Sequence, residues 1–287
     1  MGFKKKLINV QFNLAQGVFS GGGNAATISG ARVTFVGTYP GGSDQGTAEI
    51  GIYGLPLQMM NQLSTVGTQI NQVGKNEVAI FAGEEGGQMS LVYSGTITSA
   101  FVDAAGMPDV VFRVTAAPGP YHAVKPVKPL SIKGGADVSG MLKGLAGQMG
   151  LQFEDAGVKV KLANPYYAGS AWTQALAIAR HANISITIDK GTMAICPPDK
   201  ARQGATPLIS KDTNMVGYPA FNQASVVVTA YFDPAVKHLG TVQIKSDLTP
   251  ANGKWKVNNF TLDLESQVPG GKWFMVLECG PVDSKTS

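Results

Sequence analysis

At 287 residues, with 44% hydrophobic but only 15% charged side chains, the chain is long enough for two or three compact units and has too little charge to cover a well-solvated monomer. Its net charge of +4 comes from basic residues that are scattered apart from Lys4 to Lys6 and the pair Lys125 and Lys128. That leaves no basic stripe interleaved with aromatics, so nucleic acid is not an expected partner. The 36 glycines have no three-residue period, which excludes a collagen-like chain, and no window approaches the ~18 uninterrupted apolar residues of a membrane span.

Lys4-Lys5-Lys6 resembles the start of a signal peptide, yet Leu7 to Asn13 alternates apolar with polar residues and offers no apolar run behind the charges. It reads as a strand, and the protein is expected to be made in the cytoplasm, without export or membrane insertion of its own. Gly21-Gly22-Gly23-Asn24-Ala25-Ala26 loosely fits a dinucleotide loop, but no helix pattern follows it, so a flexible loop is expected. Ala31 to Gly37, Ala48 to Tyr53, Glu77 to Phe81, Leu91 to Phe101 and Val110 to Thr115 are β-branched or aromatic-rich runs between turn residues, hence strands. One short helix is expected over Leu55 to Leu63, with Pro56 in its first turn and Met59, Met60 and Leu63 on one face.

Ala117-Pro118-Gly119-Pro120 and Lys125-Pro126-Val127-Lys128-Pro129 form a linker by composition. The hydrophobic period then changes from two to 3.6. After a short strand at Leu130 to Ile132, Asp137 is placed to cap a helix carrying Val138, Met141, Leu142, Leu145 and Met149, stopped by Gly150. Val158 to Leu162 reads as a strand, and Ser170 as the cap of a second helix with Trp172, Leu176 and Ala179 on one face, ending at Asn183. Ile184 to Ile188 then turns through Asp189-Lys190-Gly191 into Met193 to Cys196. This middle segment is a small β-α-β-α-β-β unit.

After Pro197-Pro198 the strand pattern returns in Ser225 to Tyr231, Thr241 to Lys245, Lys254 to Leu264 and Trp273 to Cys279. Asp233-Pro234, Asn252-Gly253 and Pro269-Gly270-Gly271 supply the turns. Both outer segments close on a long strand, a turn and a final strand. The expected fold is mainly β with an inserted α+β domain: an N-terminal barrel-like domain over 1–117, the insertion over 118–200 and a second barrel-like domain over 201–287.

Chemistry finds little support in this pattern. The three histidines, His122, His181 and His238, have no histidine partner at ligand spacing, and neither a metal-hydrolase, a paired C-x-x-C nor a serine-hydrolase motif occurs. Cys196 and Cys279 lie in apolar runs and are expected to be unpaired buried thiols. Glu84-Glu85 and Glu154-Asp155 are adjacent carboxylates in presumed turns rather than a glycosidase pair. Trp172, Trp255 and Trp273 read as core anchors, and Gly140, Gly144 and Gly147 as a smooth helix strip for close packing. No catalytic, cofactor-binding or metal-binding residue is assigned, and no cofactor is expected.

From Val158 onward, five phrases occur in the order found in the baseplate hub family of tailed phages, which the chain resembles. They are Val160-Lys161-Leu162-Ala163-Asn164-Pro165-Tyr166-Tyr167-Ala168-Gly169-Ser170, Thr206-Pro207-Leu208-Ile209-Ser210, Val216-Gly217-Tyr218-Pro219, Tyr231-Phe232-Asp233-Pro234 and Leu264-Glu265-Ser266-Gln267-Val268-Pro269-Gly270-Gly271-Lys272-Trp273-Phe274. The resemblance implies a structural virion protein in the tail baseplate: a homotrimer whose two β-domains per chain adapt a six-fold tail tube to a three-fold spike. Its implied partners are itself, the tail tube protein, the spike or central tip protein and other baseplate proteins. Two other readings compete: a tail-associated peptidoglycan hydrolase, which clearing of a cell-wall zymogram would reveal, and a secretin-like periplasmic assembly domain, which needs an export signal.

Overall fold

The computed structural model describes residues 4–19, 22–42, 44–64, 76–118 and 125–282. Strands come first: β1 (Lys6–Asn13), β2 (Ala25–Ile28), β3 (Val33–Tyr39), β4 (Thr47–Tyr53), β5 (Glu77–Glu84), β6 (Ser90–Asp103) and β7 (Val111–Ala117), with helix α1 (Leu57–Leu63) after β4. Next come β8 (Leu130–Ser131), β9 (Gly135–Asp137), α2 (Val138–Gln148), β10 (Gln152–Asp155), β11 (Lys161–Ala163), β12 (Tyr166–Tyr167), α3 (Ala171–His181), β13 (Ser185–Asp189) and β14 (Thr192–Cys196). The last strands are β15 (Leu208–Ser210), β16 (Met215–Phe221), β17 (Val226–Tyr231), β18 (Thr241–Lys245), β19 (Gly253–Ser266) and β20 (Trp273–Pro281). The fold is mainly β. Its chain divides into two compact units, one of Met1–Gly37, Thr47–Tyr121 and Leu262–Trp273, the other of Thr38–Gly46, His122–Thr261 and Phe274–Ser287.

In the first unit the strands neighbour one another in the order β3-β4-β7-β6-β5-β1-β2, a run that ends open on β2. Alternate residues point inward, as a period of two requires: Ile8, Val10 and Phe12 from β1, Val33 and Phe35 from β3, Val78 and Ile80 from β5, Phe112 and Val114 from β7. Each such side chain contributes roughly 1.5–3 kcal/mol by leaving water. Gly37 is required by this packing, since a Cβ there would come within 2.7 Å of the Phe35 ring.

The second unit holds an open run β16-β17-β20-β19 with β18 beside β19 and β15 beside β18, and a separate sheet β10-β14-β13. Helices α2 and α3 pack over one apolar cluster with that smaller sheet. Val138, Met141, Leu142 and Leu145 come from α2, Trp172, Ala175, Ile178 and Ala179 from α3, and Ile186, Ile188, Met193 and Ile195 from β13 and β14. Both helices begin where the caps place them. Asp137 Oδ2 accepts the Gly140 amide at 2.8 Å, and Ser170 Oγ accepts the Thr173 amide at 3.2 Å. Gly150 stops α2 at φ +72°, Asn183 follows α3 at φ +50°, and Lys190 and Gly191 turn β13 into β14 with φ +50° and +77°.

Several expectations are corrected. Ala25 and Ala26 belong to strand β2, which pairs with β1, rather than to a flexible loop. Glu154 and Asp155 lie in β10, not in a turn: this short polar strand owes its existence to parallel pairing with β14, a partner some forty positions on. Pro56 precedes α1 as its cap residue, and the strand expected from Val158 begins at Lys161. The strands β9, β12, β15 and β16 had no clear pattern; β16 carries Gly217 and Pro219, which an outermost strand tolerates. Gly21, His122 and the linker residues Gly119 and Pro120 lie outside the described residues.

Candidate assembly surfaces

The phrases shared with the hub family fold as turns and packing points. In the first, Asn164 takes φ +48° and its Oδ1 accepts the Gly134 amide at 2.8 Å, while Gly169 at φ +110° precedes the cap Ser170. The second and third form β15 and β16, where Gly217 sits at φ +72° beside a bulge against β17. In the fourth, Asp233 Oδ1 accepts the Ala235 amide at 2.9 Å and closes the turn after β17. The fifth is the reversal from β19 to β20, with Gln267 at φ +59°, Gly270 at φ +67° and Lys272 Nζ 2.8 Å from Asp263 Oδ2.

The residues weighed for chemistry scatter. Cys196 and Cys279 are free and buried; burial raises both thiols, that of Cys279 to about 12, which disfavours the thiolate form. His181 Nδ1 lies 2.9 Å from the Tyr167 hydroxyl at the end of α3. Glu84 pairs with Lys6. Trp172 and Trp273 are buried, and Trp255 Nε1 donates to the Ala251 carbonyl at 2.8 Å. Among the described residues no three His, Cys, Asp or Glu side chains gather to hold a metal ion, and no helix is long and apolar enough to cross a membrane.

What the sequence did not disclose is a buried polar seam in the second unit. Arg202, with a side chain 4% exposed, donates from Nε and Nη2 to Glu154 Oε2 at 3.1 and 2.7 Å, and from Nη1 to Asp189 Oδ2 at 2.9 Å and the His238 carbonyl at 3.2 Å. His238, also buried, has Nε2 2.8 Å from the Asn258 carbonyl and Nδ1 3.0 Å from Thr187 Oγ1. A carbonyl only accepts, so Nε2 carries the proton and Nδ1 accepts from the threonine: the neutral ring satisfies both contacts. Burial accordingly pushes the imidazole down to about 4. Lys256 completes the seam, its Nζ donating to the Pro197 and Pro198 carbonyls at 3.2 Å each.

Exposed apolar side chains mark surfaces suited to assembly. On the β16-β17-β20 sheet of the second unit, Tyr231 opposes Phe274 in register and the rings stack at 5.5 Å. Tyr231 is 52% exposed, and Val276 is exposed on the same face; on the outermost strand β16, Tyr218 is 70% exposed, and Phe221, opposite Val226 in register, is exposed on the other face. Tyrosine and phenylalanine in such a sheet face bring large apolar area at little conformational cost. In the first unit Phe101, Val102 and Met107 are exposed along the end of β6 and the turn after it. Gly140 and Gly144 line a groove of about 380 Å³ on α2, edged by Leu130 and Ile132; a Cβ at Gly144 would meet nothing within 4 Å, whereas one at Gly140 would lie 3.4 Å from Asp137 Oδ2.

Comparison with known proteins gives this architecture a context. The family described as Baseplate hub gp41 matches residues 7–279. No curated protein matches the sequence. Among solved structures, a tail protein of Neisseria meningitidis is similar with a TM-score of 0.63 at 10% identity, over 96% of each chain. The 43 kDa tail protein of prophage MuSo2 from Shewanella oneidensis gives 0.59 at 10% identity, over 98% of each chain. The E. coli c3393 protein is described as a type VI secretion component with structural similarity to the T4 tail proteins gp27 and gp5. It gives 0.63 at 11% identity, over 88% of this chain and 74% of that one. At such identities the likeness is one of fold.

Proposed function

This chain belongs to the Baseplate hub gp41 family, and from that premise we propose that it is the trimeric hub joining a six-fold tail tube to a three-fold spike. It is a structural baseplate protein of a phage or prophage tail. The family match over residues 7–279 carries the reading, and the low charge and exposed aromatic sheet face support it. In the proposal, segments 1–117 and 201–287 act as two pseudo-equivalent barrel-like domains, with 118–200 inserted between them. Three copies then present six similar units to the tube and three chains to the spike or central tip protein. The chain performs no catalytic step, is made in the host cytoplasm and resides in the virion tail.

Heterologous contacts that close after three copies give a particle of about 90 kDa, from chains of 30.0 kDa. Light scattering after gel filtration, at high protein concentration or with the cognate tube protein added, is expected to show that mass. A strict monomer in both conditions would end the reading of a trimer.

A further inference from the structure

The second unit contains a polar cavity of about 720 Å³ that the hub reading does not use. Lys200, Lys254 and Arg202 line it together with Asp155, Thr206 and Thr241. Its charges do not cancel locally. Arg202 is already engaged by Glu154 and Asp189. The Asp155 carboxylate is already engaged: partial burial pushes its pKa up, but the Ser139 hydroxyl and the Val158 and Gly157 amides that donate to it outweigh this and hold it below its ordinary value. The side-chain ammonium groups of Lys200 and Lys254, by contrast, have neither a hydrogen bond nor an ion pair among the described residues. The Lys200 ammonium sits 3.4 Å from where a Cβ on Gly157 would be, and Lys237 reaches the same rim, its Nζ 3.7 Å from the corresponding point on Gly204. Thr206 and Thr241, whose hydroxyls are 2.8 Å apart with one donating to the other, leave one hydroxyl proton as a further donor.

We propose that this cavity is a docking site for an acidic segment of a partner tail protein, a loop or tail whose carboxylates pair with Lys200, Lys254 and Lys237. Size separates this occupant from a free anion. One water takes about 30 Å³ of liquid, so a lone phosphate leaves most of the cavity empty, whereas a short peptide stretch fills it. Nucleic acid is the poorer fit because, among the described residues, no aromatic side chain on which a base could stack lines the cavity. The partner's class rests on the baseplate reading, but the two claims fail separately: scattering mass reads the trimer, and peptide binding reads the pocket.

The test is fluorescence anisotropy of the full chain with a labelled peptide of alternating Asp, Glu and Gly at low ionic strength, where rim charges act most strongly. Saturable binding is expected. It should weaken by about tenfold or more in Lys200→Glu/Lys254→Glu and stay unchanged in Lys143→Glu, an exposed lysine on α2 outside the cavity. Because both cavity lysines are exposed, the double variant should keep the wild-type melting temperature and oligomeric mass. The proposal is overturned if the wild type does not bind the peptide, if the double variant binds as well as the wild type, or if charge-matched single-stranded DNA binds more tightly. It also fails if equimolar inorganic phosphate displaces the peptide, or if binding appears only after removal of residues 283–287, which would make the chain's own tail the occupant.

Discussion

The second unit is held together by opposite means in two places. Around α2 and α3, Leu142, Leu145, Trp172, Ile178 and Ile186 fill space with apolar atoms, and the main polar side chain among them, Gln174, is tied to the Lys128 and Gly169 carbonyls at 3.2 and 3.1 Å. Around Arg202, by contrast, charges and a histidine are buried and each depends on a particular partner. An apolar core of this kind tolerates substitutions that keep volume, because contact energy is shared over many neighbours. A buried ionic seam does not: removing one member strands the others in a medium that penalises charge. The first region therefore supplies bulk stability, and the second fixes which segments meet.

The largest effect should come from breaking the seam. Arg202→Met leaves Asp189, 8% exposed, without its cation, which is expected to cost about 3–5 kcal/mol. Leu142→Ala in the helix cluster should cost about 2–5 kcal/mol through a cavity. The variants differ in kind as well as size: adding Asp189→Asn to Arg202→Met should recover part of the loss, since it removes the stranded charge. Urea unfolding of the two single variants and the double variant checks this; no recovery in the double variant would show that the pair matters by packing alone.

The contrast also governs what could be read from sequence. Helices α2 and α3 were legible because their buried residues repeat at helical spacing and Asp137 and Ser170 sit one position before them. The seam was not legible, because Arg202 meets Glu154, Asp189 and His238 at separations of 48, 13 and 36 residues, and no local period encodes such a meeting. The same reason hid β10 and β15, each of which exists through a parallel partner well removed along the chain. Tyr231 was visible as the end of a strand and the start of a turn phrase; that its ring lies exposed against Phe274 depends on the pairing of β17 with β20.

Acid should find the seam before the helix cluster. His238 is neutral in the fold with its pKa lowered from 6.5 to about 4, chiefly by burial. Its folded value lies below its unfolded one, so its contribution is whole above pH 6.5 and is lost as pH falls toward 4, by roughly 3 kcal/mol in total. Asp189 opposes this shift, while Arg202 and Lys256 reinforce it. Melting temperature measured between pH 7 and 4 is expected to fall, and to fall less in His238→Gln, whose amide can still donate to the Asn258 carbonyl. Equal slopes for the two proteins would remove His238 as the cause.

The smallest effect lies on the apolar side and has the opposite sign. Helix α2 carries Gly140, Gly144 and Gly147 in eleven residues, and each costs roughly 1 kcal/mol of helix stability relative to alanine. At Gly144 a Cβ would meet nothing within 4 Å, so neither strain nor displaced packing offsets the gain. Gly144→Ala is therefore expected to stabilise the isolated chain by about 0.5–1 kcal/mol, which for a domain of this size is about 1–4 °C in melting temperature. Lower stability would mean that the strip is already covered in the isolated protein, because only a neighbour close to position 144 could turn an added methyl group into a cost.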